Sequence, residues 1–277
     1  MCEDSLHRSC HVVQARHCWR CGADPGGKMS NIVRKAPELP GMTHSDTRAD
    51  FRCETSDGWF VSGLAKAAEL GPGPCVLSPL TATLPPGLAD MACALPIGDA
   101  NGQLLAELRS GRPDRWVLAG VFGCDPFRRV DDLVAELCRV GVAAVTNWPT
   151  IGLLSGELGS ALQHSGFSYG RELELLARSR ERGMYVAAVV STGEQLEQAR
   201  TCGPDMLIVT PGLAREDAAA MAQQGRRLGE ELIPAARSAL PDADVRLYLH
   251  PLFGAALEPL RSQVEGVVRH AGDHLPE

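Results

Sequence analysis

From Trp59 onward, short apolar runs ending in Gly, Pro, Asp or Asn alternate with amphipathic stretches of ten or more residues. A continuous apolar run bounded by turn residues suits a strand buried on both faces. Leu, Val or Ala every three to four positions suits a helix packed against such strands. The runs predict strands over Trp59–Ser62, Cys75–Pro79, Trp116–Phe122, Ala143–Trp148, Tyr185–Val190, Met206–Thr210, Val245–His250 and Gly266–Arg269. The intervening pattern predicts helices that include Asp131–Arg139, Gly170–Arg182, Gly193–Cys202 and Glu216–Ala239. Eight strands separated by helices predict an α/β fold, a closed (β/α)8 TIM barrel, with any site at the C-terminal strand ends.

Residues 1–57 break this rhythm. They have no sustained period and are dense in Cys, His, Arg, Gly and Asp, which predicts an extended or disordered leader ahead of a barrel domain at 58–277. Within the leader, Cys18 and Cys21 form a CxxC, with Cys2, Cys10, His11 and His17 nearby. That spacing suits half of a zinc site, but no second half follows at finger-like spacing, and an isolated CxxC also arises freely in Cys-rich sequence. Met29 follows Gly-Gly-Lys, so residues 1–28 are also open to reading as the product of an upstream start. Deletion of residues 1 to about 50 is expected to leave the barrel folded.

Composition narrows the partners. With 277 residues, 44% hydrophobic and 22% charged, the chain can fill one barrel and is far from the signature of disorder. A net charge of −7, without a long run of Lys or Arg, argues against nucleic acid. No apolar stretch approaches the roughly 18–20 residues that span a bilayer, and the N-terminus lacks a signal-peptide pattern. A cytoplasmic protein without a membrane partner is therefore expected. Of the ten cysteines, Cys75, Cys93, Cys124, Cys138 and Cys202 lie in or beside apolar segments and read as small buried hydrophobes in a reducing compartment. A homo-oligomer is left open, because the helical exterior identifies no interface.

Four segments at strand ends carry the candidate chemistry: Leu95-Pro-Ile-Gly-Asp-Ala-Asn101, Ala119-Gly-Val-Phe-Gly-Cys-Asp-Pro-Phe127, Asn147-Trp-Pro-Thr-Ile-Gly-Leu-Leu154 and Gly166-Phe-Ser-Tyr-Gly-Arg-Glu-Leu-Glu174. In this order and spacing they resemble the phosphoenolpyruvate hydrolase-like family, also called the TIM-barrel signal transduction family. Its motifs read P-Y-G-D-A-N, A-G-V-x-x-x-D-P-F, N-F-P-T-V-G-L and G-Y-G-x-E-x-E. The resemblance runs from about Ser62 to about Ala256. It implies a barrel related to the phosphoenolpyruvate mutase and isocitrate lyase class, acting beside a carbonyl or carboxylate of a small carboxylate or keto-acid substrate; in an enzyme of this kind Asp99, Asn147 and Asp125 would position substrate or Mg2+. The chain departs from the family where only Ser62-Gly63-Leu64-Ala65-Lys66 stands for a Gly-rich first loop. Thr210-Pro-Gly-Leu-Ala-Arg215 and His250-Pro-Leu-Phe-Gly254 replace two further Gly-rich segments. Losing those backbone cradles weakens a phosphorylated substrate. A catalytically silent ligand-binding or regulatory barrel is the alternative.

Each candidate residue has a structural role competing with a chemical one. Asp99 and Asn101 precede an amphipathic stretch, so one can cap its helix while the other faces the mouth to bind substrate or, for Asp99, a divalent cation. Asp125 precedes Pro126, the pairing of an N-cap and first helical residue, and is otherwise a catalytic candidate. Asn147 ends a strand, where an amide can bind a substrate carboxylate or carbonyl. Glu172 and Glu174 point roughly 200° apart on a helix, so at most one enters the site. Glu172 is the acid–base candidate, with Tyr169 beside it for substrate or proton, and Glu174 serves the helix dipole. His250 ends the seventh strand, where a barrel places a general acid or base. Cys124 reads as a buried thiol, or as a nucleophile if a positive environment lowers its pKa.

Overall fold

The computed structural model describes residues 57–70, 73–84, 86–90, 98–111, 117–213, 217–250 and 254–271. They lie in the second of the chain's two compact units, Gly41–Glu277. The leader, with Cys18 and Cys21, lies outside the described residues apart from Asp57, which Arg261 holds at 2.7 Å. Leu95, Cys93 and Trp116 also lie outside them.

Eight parallel strands close into a barrel in sequence order: β1 Gly58–Val61, β2 Cys75–Leu77, β3 Val117–Gly120, β4 Ala144–Thr146, β5 Tyr185–Val190, β6 Met206–Val209, β7 Asp244–Leu249 and β8 Gly266–His270. Closure runs through Gly58↔Val268 and Phe60↔His270. The strands are shorter than their apolar runs because residues such as Phe122, Asn147 and Trp148 have already left the ladder to build the mouth. Helices return the chain between strands, among them Ala100–Ser110, Val130–Arg139, Gly156–His164, Tyr169–Glu181 and Gly193–Ala199. The run predicted as one helix to Ala239 is Ala218–Arg227, a π-helical turn Leu228–Leu232, and Ile233–Ala239. Among the described residues, no helix is long and apolar enough to cross a membrane.

Side-chain alternation divides the core in two. Phe60, Val76, Leu118, Ala144, Tyr185, Ala187, Val189, Ile208, Tyr248 and Val268 fill the barrel. Val61, Leu77, Ala119, Val145, Val186, Leu207, Leu247 and Val267 face the helices. On β7 the fully buried Arg246 bonds Asp244 through Nε at 2.9 Å and Nη2 at 2.8 Å, which supplies the partner that a buried guanidinium needs. Gly120 is required at its position, since a Cβ there would meet the carbonyl oxygens of Leu77 and Trp148 at 2.8 Å.

Candidate functional site

The polar strand ends form two groups on the C-terminal side. The first spans the segments after β2, β3 and β4. Asp99 caps helix Ala100–Ser110, accepting from Gly102 N at 2.8 Å, and receives Arg128 on both oxygens at 2.6 and 2.8 Å. Arg128 and the Gly102 amide hold its carboxyl below the usual carboxylate range. Asn101 is buried: Nδ2 donates to Phe122 O and Asp125 Oδ2, and Oδ1 accepts from Phe122 N at 3.0 Å. The two possible roles are thus divided, with Asp99 capping the helix and Asn101 binding the β3 loop.

Asp125 does not cap a helix, contrary to the N-cap reading. The next helix starts at Val130, and Asp125 Oδ1 instead accepts from Phe127 N at 2.7 Å, while Oδ2 takes Asn101 at 2.8 Å and Arg128 at 3.2 Å. The short side chain closes a turn within its own loop, a geometry that the Asp-Pro signal does not distinguish from a cap. The guanidinium of Arg128 already bonds both Asp99 and Asp125, so a divalent cation at these carboxylates would have to displace it. These residues do not fit Mg2+.

Behind them lies Glu172, in the first turn of helix Tyr169–Glu181 and fully buried, with Glu174 exposed as the spacing requires. Oε2 accepts from Thr150 Oγ1 at 2.5 Å and Asn147 Nδ2 at 3.0 Å, and Oε1 accepts from Ile151 N at 2.8 Å. Burial pushes its pKa up to about 7, opposed by these three donors. The Oδ1 of Asn147 accepts from Val189 N at 2.8 Å, and Tyr169 donates to Val189 O at 2.7 Å. A Cβ on Gly123 would come within 2.6 Å of Glu172 Cα, so the β3 loop and this helix touch only because residue 123 is glycine. Burial, and then the charge of Glu172, push the Cys124 thiol up to about 12, which removes it as a nucleophile.

The second group gathers at the ends of β7 and β8. His250 follows β7 and is fully buried, with Nε2 at 3.5 Å from Asp90 Oδ2. Tyr248, two residues earlier on the same inward face, donates to Asp90 Oδ1 at 3.1 Å and lies 2.7 Å from His270 Nε2. A second histidine stands at the end of the neighbouring strand. Strand β8 runs one residue past its predicted limit and ends on His270, whose ring lies 5.8 Å from that of His250. Burial raises the pKa of Asp90 to about 7, against the Tyr248 hydrogen bond. Beneath them Phe60, Trp148 and Tyr248 pack with ring centroids 4.5–5.3 Å apart. Trp148 adjoins Asn147, so this aromatic layer links the two groups.

Sequence reasoning missed Asp90, Thr150, Arg128, Tyr248 and His270. Tyr248 was legible from the two-residue period that puts it on the face of His250; Asp90, in Leu88-Ala-Asp90, carries no local signal. A groove of about 780 Å³ also opens over β4 to β6, lined by groups such as Ser155, Tyr169, Ser191, Gln195, Gln224 and Arg227.

A closed (β/α)8 barrel with ionisable side chains buried at its C-terminal strand ends defines a TIM barrel with a polar mouth. The chain belongs to the phosphoenolpyruvate hydrolase-like family, whose sequence profile matches residues 85–239. It is similar to the ToMV resistance protein Tm-1(GCR237) of Solanum lycopersicum, 32% identical over 130 residues, covering 46% of this chain and 17% of that protein. It is also similar to the uncharacterized protein y4oT of Sinorhizobium fredii, 37% identical over 120 residues, covering 43% of this chain and 61% of y4oT. The match thus spans less than two thirds of either relative. Among solved structures, 2,3-dimethylmalate lyase aligns with a TM-score of 0.46 at 14% identity, over 83% of this chain and 80% of that one.

Proposed function

We propose that the chain is a lyase- or hydrolase-type enzyme acting on a C–C or C–O bond beside the carbonyl of a small carboxylate or keto acid. The observation that carries this reading is the meeting of buried Asp90, Tyr248 and His250 with the partly exposed His270 at the mouth. Ionisable groups so placed in a barrel mouth suit reaction better than packing. Membership of the phosphoenolpyruvate hydrolase-like family supports the same class.

In this reading the reacting carbonyl lies over the β7–β8 side. That cluster, His250 included, stabilises negative charge as it forms on the enolate or oxyanion, and the Tyr248 phenol exchanges the proton. Asn101, Asp125, Asn147, Tyr169 and Glu172 act by position: their hydrogen bonds tie loops and strand ends together and fix the mouth around the substrate. Asp99 stands at the rim with Arg128.

The test is turnover of oxaloacetate and phosphoenolpyruvate by the purified full chain, read as pyruvate release. Activity lost in Tyr248→Phe is the expected result. Binding of either compound without turnover would instead support a silent ligand-binding barrel, a reading favoured by the mutual saturation of the Glu172 and Asp125 groups.

A further inference from the structure

We propose that Asp90, His250 and His270 form a site for one divalent transition-metal ion of the Zn2+ and Co2+ class. The three residues come from distant segments: Asp90 directly follows the single helical turn Pro86–Ala89, His250 follows β7 and His270 ends β8. Each offers a ligand atom, and these atoms all lie within 4.8 Å of one another. Two ligands about 2.1 Å from a tetrahedral ion stand about 3.4 Å apart, the geometry expected at a zinc site. His250 Nε2 and Asp90 Oδ2 are 3.5 Å apart.

The donor set selects the metal. Two imidazoles with one carboxylate suit Zn2+, Co2+ or Fe2+, whereas Mg2+ and Ca2+ prefer all-oxygen shells. Three protein ligands also leave a coordination position open, as catalytic rather than structural sites do. Tyr248 supplies an outer contact: its hydroxyl bonds Asp90 through Oδ1, the oxygen turned away from His250, and touches His270. Such partners fix the orientation of first ligands. Asp90 and His250 are fully buried while His270 is partly exposed, so the β8 side is the way in. A cation there also offsets the cost of a carboxylate buried against two imidazoles.

The site deepens the proposed reaction by naming its electrophile, yet metal binding does not require that reaction. The test uses the full chain with all five leader cysteines, Cys2, Cys10, Cys18, Cys21 and Cys53, replaced by Ser, so that leader thiols add no thiolate signal. After chelator treatment the protein is titrated with Co2+, following visible d–d absorption and equilibrium dialysis. The expected result is one Co2+ per chain, an affinity at least tenfold weaker in His270→Gln and in Asp90→Asn, and a smaller loss in Tyr248→Phe. If Asp90→Asn fails to fold by circular dichroism, His270→Gln, at the partly exposed strand end, decides. No Co2+ binding, or equal binding in His270→Gln, overturns the inference. Co2+ binding at these residues together with undiminished turnover by metal-free protein supports the site and removes the metal from the proposed reaction. Binding that depends on these residues without turnover of either substrate supports it and removes that reaction.

Discussion

The two halves of the barrel mouth use polar side chains differently. On the side of β2 to β4, Asn101, Asp125, Asn147 and Glu172 spend their hydrogen bonds on one another, on Thr150 and Arg128, and on the backbone of Phe122, Phe127, Ile151 and the β5 residue Val189. On the side of β7 and β8, Asp90, Tyr248, His250 and His270 converge side chain to side chain on one small volume. Polar residues at strand ends are thus used in two ways: the first group includes bonds to backbone amides and ties segments together, whereas the second joins ionisable side chains to one another.

Mutations should separate the halves. Glu172→Ala strands the Asn147 amide, the Thr150 hydroxyl and the Ile151 N–H and leaves a cavity, so it should cost about 4 kcal/mol of stability. Asn147→Ala should act similarly by removing one donor from the same carboxylate. Denaturant unfolding checks both. A shift under about 1 kcal/mol would dissolve the contrast. His270→Gln should do the reverse, cutting turnover roughly 100-fold while moving the melting temperature only a few degrees, as steady-state kinetics and calorimetry would show.

The third expectation concerns pH. The Glu172 carboxyl titrates near 7 in the folded chain against 4.5 unfolded, so the native state holds the proton more tightly. Its contribution is fully present below pH 4.5 and is lost as pH rises through about 7, on the order of 3 kcal/mol in all. Urea midpoints across this window should fall for the wild type relative to Glu172→Gln. Parallel curves would mean that the carboxylate is ionised throughout. The smallest effect belongs to Arg128→Ala, whose pair with Asp99 is partly solvent-exposed and should contribute about 1 kcal/mol or less, diminishing in salt.

The barrel was legible because each strand is buried on both faces and so reads as an unbroken apolar run. Tyr185–Val190 matches its predicted limits, while Trp148 was counted as strand although its ring leaves the ladder for the aromatic layer. The loop-holding residues were equally visible, since Asn147 and Glu172 sit in recognisable local segments. Local segments do not reveal partners, however. That Glu172 meets Thr150, or that Asp90 meets His250 across 160 residues of chain, depends on barrel closure, which no window of sequence contains.

The widened turn at Leu228–Leu232 has a consequence for how this chain tolerates length changes. Counted at 100° per residue from Met221, Ile233 would lie about 120° round the helix and Ala236 about 60°. Both are nonetheless buried. The Ile233 amide reaches Leu228 O, five residues back, so the turn winds less per residue and rotates the following residues toward the core. Pro234, which has no N–H to give, falls just after the turn. The helix thus accommodates the phase slip of an inserted residue inside one turn, leaving β6 and β7 in register at either end.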